Sequence, residues 1–324
     1  MTKLDELIQS IKNTHVYVQM HNYPDQDALA SAMGLQSLLK AREIQSTIIY
    51  QGIIDKENTL KMIDLLHINI YPAKTIKFCE DDEIIIVDGQ KGNINVTNTA
   101  GIEIACIDHH DPHKTEGYRF FDIRRDVGAC ASIITSYFIE NKIPISTDVA
   151  TALVYGLKMD TAQLSRRISN LDIDMFYHLF RLADLTKLRA FEMSSIKLDD
   201  LTNYMNAISD LKLDHNIAIA NIGNDCPESV IGSVNDFLLT ISEIEFTVIY
   251  SYRANGIKFS VRSALLTLDA SEIIHEALLG YGSGGGHNDM AAGFIPNISD
   301  EEIGNSLVKQ VIHNIVCLVR KHSS

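Results

Sequence analysis

Carboxylates and imidazoles recur at the ends of apolar runs in the first half of this 324-residue chain. The segments are His21-Asn22-Tyr23-Pro24-Asp25-Gln26-Asp27, then Asp88, Asp108-His109-His110 and Asp160. Oxygen and nitrogen donors without a thiolate suit Mn²⁺ or Mg²⁺ better than structural zinc, which favours cysteine. Four aspartates and two histidines exceed the needs of one ion. Two ions sharing a carboxylate would use them, and such a pair clamps an in-line phosphoryl displacement.

Each segment also has a plainer account. Asp before Ala28 is a good helix N-cap, and taken alone the 21–27 loop divides evenly between capping and chemistry. Asp88 follows Ile84-Ile85-Ile86-Val87, where an acid is costly unless paired, hydrogen-bonded or metal-bound, although chance placement is common. The adjacent His109-His110 beside Asp108 is more telling, because imidazole donors and a supporting acceptor then share one strand end. In the second half, five glycines fall between Gly280 and Gly286, followed by His287 and Ala291-Ala292-Gly293. Backbone N–H groups there can cradle a phosphate, against the alternative of a flexible hairpin turn. Arg262, just upstream, could supply a fixed cation or be an ordinary solvated side chain.

The elements that must position these groups follow an α/β grammar. Short β-rich runs at 15–20, 47–50, 83–87 and 102–107 alternate with helical patterns at 28–42, 129–140 and 149–157, which predicts a largely parallel sheet flanked by helices. Ligands gather beyond the carboxyl ends of such strands, where the 21–27 loop, Asp88 and Asp108 fall. The stretch 172–210 is helical and charged with no strand signal. New β patterns at 217–222, 245–253 and 257–261, then a helix near 272–279, predict a smaller second α/β domain. The expected domains are 1–185, a helical linker 186–212, and 213–324.

A formal charge of −14 argues against a long duplex nucleic acid as partner, because phosphate neutralisation needs clustered Lys and Arg. Any phosphate ligand should be small or held through metal. The cysteines show no paired spacing. The first twelve residues read as an amphipathic helix with Leu4, Leu7, Ile8 and Ile11 on one face rather than as a leader, and no apolar stretch reaches membrane-spanning length. The expectation is a cytoplasmic protein with no membrane partner; a homodimer is left open.

Taken together, H-x-x-P-D-x-D, V-D, D-H-H, G-x-x-x-D-T, G-G-G-H and A-A-G in this order resemble the DHH/DHHA1 phosphoesterases of the RecJ-like superfamily. The length resembles the short nanoRNase and pAp-phosphatase type. The resemblance implies an N-terminal DHH domain, a helical connector and a DHHA1 domain. It implies that His21, Asp25 and Asp88 hold one Mn²⁺, and that Asp27, Asp88, His109 and Asp160 hold the other. Asp88 would bridge, His110 would touch the scissile phosphate, and Asp108 would support the histidines. Arg262, Gly284, Gly285, Gly286 and His287 would bind the terminal nucleotide or phosphate. The implied nucleophile is water activated by the two cations, with no protein nucleophile.

The implied activity is a Mn²⁺-dependent phosphohydrolase, a 3′–5′ oligoribonuclease (exonuclease) on short oligonucleotides or a phosphatase of small nucleotides such as pAp. Linear or cyclic dinucleotide signals and polyphosphate are alternatives, as is a nucleotide-binding sensor without turnover. Pyrophosphatase relatives are less expected, because their second domain lacks the G-G-G-H loop. Departures are Gln26 where glycine is frequent, Gly89 where threonine is common, and an extra residue before Ala-Ala-Gly. They alter the walls of the site and remove no ligand. Arg166 and Arg167 are further candidates to reach substrate.

Overall fold

The computed structural model describes residues 1–93, 95–112, 115–193, 196–265, 267–298 and 301–323. It forms two compact units, Met1–Ser195 and Ile196–Ser324.

The first unit begins with α1 (Lys3–Ser10) and β1 (His15–Gln19), followed by α2 (Gln26–Ala41), β2 (Gln45–Tyr50), α3 (Glu57–Leu65) and β3 (Ile70–Pro72). Then come β4 (Glu83–Val87), β5 (Ile102–Asp108), β6 (Phe120–Ile123), α4 (Cys130–Glu140), α5 (Thr147–Asp160), α6 (Asn170–Phe180) and α7 (Leu185–Glu192). The strand order is β3-β2-β1-β4-β5-β6, and every pairing is parallel. This is a doubly wound sheet whose order reverses between β1 and β4, the crevice where such folds bind ligands.

The strands form where the chain is apolar on both faces. β4 is buried at every position. Its Ile85 and Val87 enter the main core, while Ile84 and Ile86 pack with Val96 and Tyr118 on the other face, the two-residue period of a strand. Helices α4 and α5 are buried nearly all round, as central helices must be.

Helix α2 starts at Gln26, two residues before the apolar pattern, because Asp25 Oδ1 accepts from the N–H groups of Asp27 (3.0 Å) and Ala28 (3.1 Å). Against it, α5 packs through Gly156. A Cβ there would lie 2.9 Å from Ala30 Cβ and 3.0 Å from Asp27 Cα. Gly156→Val is therefore expected to lower unfolding stability by roughly 1–3 kcal/mol through overpacking. Urea denaturation would show a lower midpoint at unchanged slope.

The stretch 186–212 divides between the units. In α7, Leu188 and Phe191 join the first core, whereas α8 (Leu201–Asp210) contributes Tyr204 and Ala207 to a core of the second unit.

The second unit continues with β7 (Lys212–Asp214), β8 (Ile217–Asn224), α9 (Glu228–Leu238), β9 (Phe246–Arg253), β10 (Gly256–Ser263), α10 (Ala270–Ala277), β11 (Ser283–Gly286), β12 (Met290–Pro296) and α11 (Glu301–Ser323). Its sheet runs β11-β12-β10-β9-β8-β7, parallel only between β8 and β9. The glycine run is thus a strand rather than a hairpin turn. Gly284 pairs with Gly293, and a Cβ on Gly293 would strike Leu278 Cδ1 at 2.2 Å. Close seating of α10 explains small residues there. No helix among the described residues is long and apolar enough to cross a membrane.

Candidate metal centre

The carboxyl ends of β1, β4 and β5 bring the sequence-selected residues to one place. His21 follows β1, Asp88 follows β4, Asp108 ends β5, Asp25 and Asp27 open α2, and Asp160 ends α5. His21 Nε2 lies 3.8 Å from Asp25 Oδ1 and 3.6 Å from Asp88 Oδ2. His109 Nε2 lies 3.3 Å from Asp88 Oδ1 and 3.1 Å from Asp160 Oδ2. Donor atoms group as His21-Asp25-Asp88, Asp27-His109-Asp160 and Asp88-Asp108-His109-His110, each within 4.8 Å. All six residues named from sequence as cation ligands fall within these groups.

The donors are aimed as cation ligands need to be. His21 Nδ1 sits 2.8 Å from the Asn22 carbonyl and His109 Nδ1 3.2 Å from the Val127 carbonyl. A proton on each Nδ1 satisfies these contacts and, in the neutral ring, leaves the Nε2 lone pair facing the carboxylates. Asp88 is 2 % exposed, and its Oδ1 has no hydrogen-bond partner among the described residues. A buried carboxylate oxygen left unpaired between imidazoles is costly unless a cation joins it. Its φ of +55°, unusual for a non-glycine, lets its N–H reach Ile107 O at 2.9 Å. The donor set therefore fits divalent cations.

Asp27 is held from a distance in sequence. Its oxygens accept from Cys130 N–H (2.7 Å) and Ala131 N–H (2.9 Å), at the start of α4, where the helix dipole favours an anion. Asp108 is fully engaged otherwise: Oδ1 faces His109 N–H and His110 Nδ1, both at 2.8 Å, and Oδ2 accepts from Gln90 at 2.6 Å. It orients His110 through these bonds. Gln90 and the α4 amides escaped sequence reasoning, because nothing in their local pattern marks a partner so far along the chain.

Electrostatics reflect the crowding. Burial works against a charged His21, but the Asp25 and Asp88 carboxylates outweigh it and raise the imidazole to about 10. Burial lowers His109 too, but the Asp88 carboxylate 3.3 Å away, with Asp160 and Asp27 adding, drives it well above its usual value. Burial lifts Asp160 to about 6, with Asp25 and Asp88 adding and His109 opposing. Burial, then Asp88 and Asp160, push Asp27 well above the carboxylate range, against the pull of the two α4 amides. Asp25 goes the other way: burial raises it, yet the neighbouring His21 imidazole, with Lys56 and the Ala28 N–H adding, holds it below the usual range.

In the second unit, Arg262, Gly285, Gly286 and His287 line a pocket of about 270 Å³ with Lys258 and Ser260. Gly284 is not part of that lining; a Cβ on it would meet Ile274 O and Leu278 of the α10 segment. Arg262 is tethered, donating from Nε to Asp236 at 3.0 Å and from Nη1 to Val261 O at 3.1 Å. Lys258, paired with Glu228 at 3.0 Å, is a second lining cation that the sequence pattern did not single out. In the first unit, Arg166 donates to the backbone carbonyl of Asp160 at 3.3 Å.

Residues 15–157 match the DHH family, N-terminal domain, and residues 214–315 match the DHHA1 domain. An uncharacterised protein of Methanocaldococcus jannaschii is 31% identical over 313 residues, 95% of this chain and 64% of that protein. The chain thus spans less than two thirds of that relative's length. A probable manganese-dependent inorganic pyrophosphatase of Streptococcus thermophilus is 24% identical, covering 74% of this chain and 79% of that protein. A cyclic-di-AMP phosphodiesterase of Geobacillus thermodenitrificans is 24% identical, covering 96% and 49%. An exopolyphosphatase-related protein from Bacteroides fragilis shares the fold, with a TM-score of 0.77 at 15% identity over 98% of this chain and 97% of that one. With the acid and imidazole motifs inside one matched region and the glycine-histidine motif inside the other, the chain belongs to the DHH/DHHA1 family.

Proposed function

We propose that the chain is a Mn²⁺-dependent phosphohydrolase that cleaves short oligonucleotides or small nucleotides such as pAp. The observation that carries this reading is Asp88, a buried carboxylate common to two donor groups, with one oxygen 3.3 Å from His109 and the other 3.6 Å from His21. Two bound cations there would lower the pKa of a water and neutralise charge on a phosphate. His21, Asp25 and Asp88 would hold one, and Asp27, His109 and Asp160, with Asp88, the other. His110, its Nδ1 anchored on Asp108, would contact a phosphate oxygen. Arg262, Gly285, Gly286 and His287 would bind a terminal phosphate or nucleotide through the guanidinium and backbone N–H groups.

The relatives named as manganese-dependent pyrophosphatases and as a cyclic-di-AMP phosphodiesterase support a small phosphate compound as substrate. The charge of −14 favours the same conclusion. Coverage of 96% of this chain by the phosphodiesterase match keeps linear and cyclic dinucleotides as the second reading.

Purified chain loaded with Mn²⁺ should release mononucleotide or phosphate from at least one of di- to pentanucleotides, pAp and cyclic or linear dinucleotides. No turnover of any would overturn the proposal. On the preferred substrate, Arg262→Ala is expected to raise KM about 10- to 100-fold, the loss of one charge-assisted hydrogen-bond donor, with kcat changed far less. Steady-state kinetics decide it, and an unchanged KM removes Arg262 from the substrate site.

A further inference from the structure

Tyr23 stands midway between His21 and Asp25, whose side chains face each other at 3.8 Å, yet its own side chain is 67 % exposed. Two residues of chain span at most about 7 Å, so its backbone is never farther than that from either flanking residue. Its φ is +56°, a left-handed conformation costly for a bulky residue and further disfavoured by the following Pro24.

The surroundings hold that conformation in place. Tyr23 N–H donates to Gln51 O at 2.9 Å, and Asn22 N–H to Asn95 O at 2.6 Å. The Asn22 side chain donates to Thr97 Oγ1 at 2.9 Å. The ring rests against Gly52, where a Cβ would lie 2.8 Å from Tyr23 Cδ1 and 3.0 Å from Cε1. Gly52 has φ +81° and no side chain to displace the ring. The Tyr23 hydroxyl has no hydrogen-bond partner among the described residues. A rigid aromatic is thus presented to solvent beside the cation-binding residues, in a strained conformation from which its own packing gains little. Strain of this kind is kept where a ligand uses it.

We propose that Tyr23 is the stacking platform for the base of the nucleotide whose phosphate enters the metal centre. The inference rests on the phosphohydrolase reading for the position of that phosphate, and it sharpens the substrate class: a planar base, rather than phosphate alone, is recognised beside the cations. Pyrophosphate and polyphosphate carry no group for this face. A tyrosine offers a π-surface to any base, so the platform discriminates nucleotides from bare phosphates and tolerates base identity.

The test is calorimetric binding of AMP and of inorganic phosphate to the Mn²⁺-loaded chain, for wild type, Tyr23→Phe and Tyr23→Asn. Asparagine tolerates positive φ, so Tyr23→Asn should fold with an undiminished melting temperature. It should weaken AMP roughly 5- to 150-fold, as loss of one stacked base implies. Phosphate affinity should stay unchanged, and Tyr23→Phe should bind AMP as wild type does. An AMP-to-phosphate ratio unaltered in Tyr23→Asn overturns the inference. So does a Tyr23→Phe defect as large as that of Tyr23→Asn, which would mean a hydroxyl contact to phosphate. Turnover by wild type with an unaltered ratio sinks stacking and leaves the hydrolase; a base-specific loss in a chain that turns over nothing does the reverse.

Discussion

Asp88→Asn is expected to cut kcat/KM by on the order of 10³-fold or more on whichever substrate the wild type hydrolyses best. The side chain keeps its shape, and asparagine accepts the +55° φ, so the substitution isolates the charge. Asp88 is the residue common to the His21-Asp25-Asp88 group and the group containing His109. Losing its charge weakens both cation sites together, and the several kcal/mol of transition-state stabilisation from a cation pair translate into that fold-change. Asp88 repels Asp27 and Asp160 but attracts the protonated His21 and His109, so the two effects oppose each other in the metal-free chain and its neutralisation is expected to move that melting temperature less than it moves the Mn²⁺ response. The rise in melting temperature on adding Mn²⁺ should shrink or vanish. Kinetics and thermal scans with and without Mn²⁺ provide both readings; a loss of activity under tenfold would remove Asp88 from the centre of the site.

Asp88 was legible because the signal is local. The apolar runs ending at Val87 and Ile107 are strands covered on both faces, so the first acid after each run marks the carboxyl end of a parallel strand. His21 and Asp108 were found by the same reasoning. The cap expected at Asp27, the aspartate before Ala28, falls instead on Asp25, whose Oδ1 caps α2 and also faces His21, so capping and a place beside the imidazole coexist in one residue.

What the pattern could not convey is pairing across long separations. The amides of Cys130 and Ala131 that hold Asp27 lie about a hundred residues away. Gln90 reaches Asp108 only because β4 and β5 are neighbours in the sheet. The glycine-rich run Ser283–Gly286 has no intrinsic β preference and becomes an edge strand through its pairing with β12, an outcome set by tertiary contact. Backbone sign is equally silent: nothing in Asn22-Tyr23-Pro24 announces that Tyr23 has positive φ.

Loading the metal-free chain with Mn²⁺ at pH 7 is expected to expel at least two protons, because imidazole ligands must be neutral to bind and Asp27, pushed well above the carboxylate range, must ionise as well. Without cations, His21, raised to about 10, and His109, raised well above its ordinary value, both carry their protons at pH 7. Those protons neutralise the carboxylates in place of the metal. The same shifts fix how stability varies with pH. Asp160 has a folded value of about 6, above its ordinary 3.8, so its contribution is complete below about pH 4 and is lost as pH rises through 6. For His21 the window runs from 6.5 to about 10. Asp25 and Asp108 are depressed, so what they contribute is already complete above about pH 5 and does not offset the loss. The metal-free chain should therefore lose stability and melt at progressively lower temperature from pH 5 to 8, Asp160 accounting for roughly 1–1.5 kcal/mol of the loss in that range. Mn²⁺ should reverse the trend, since deprotonated ligands bind it more tightly as pH rises. Titration heats measured in buffers of different ionisation enthalpy count the protons, and thermal scans across that range give the slope. Heats independent of buffer would mean that the histidines already stand neutral, and the proton-for-cation exchange at this site would be wrong.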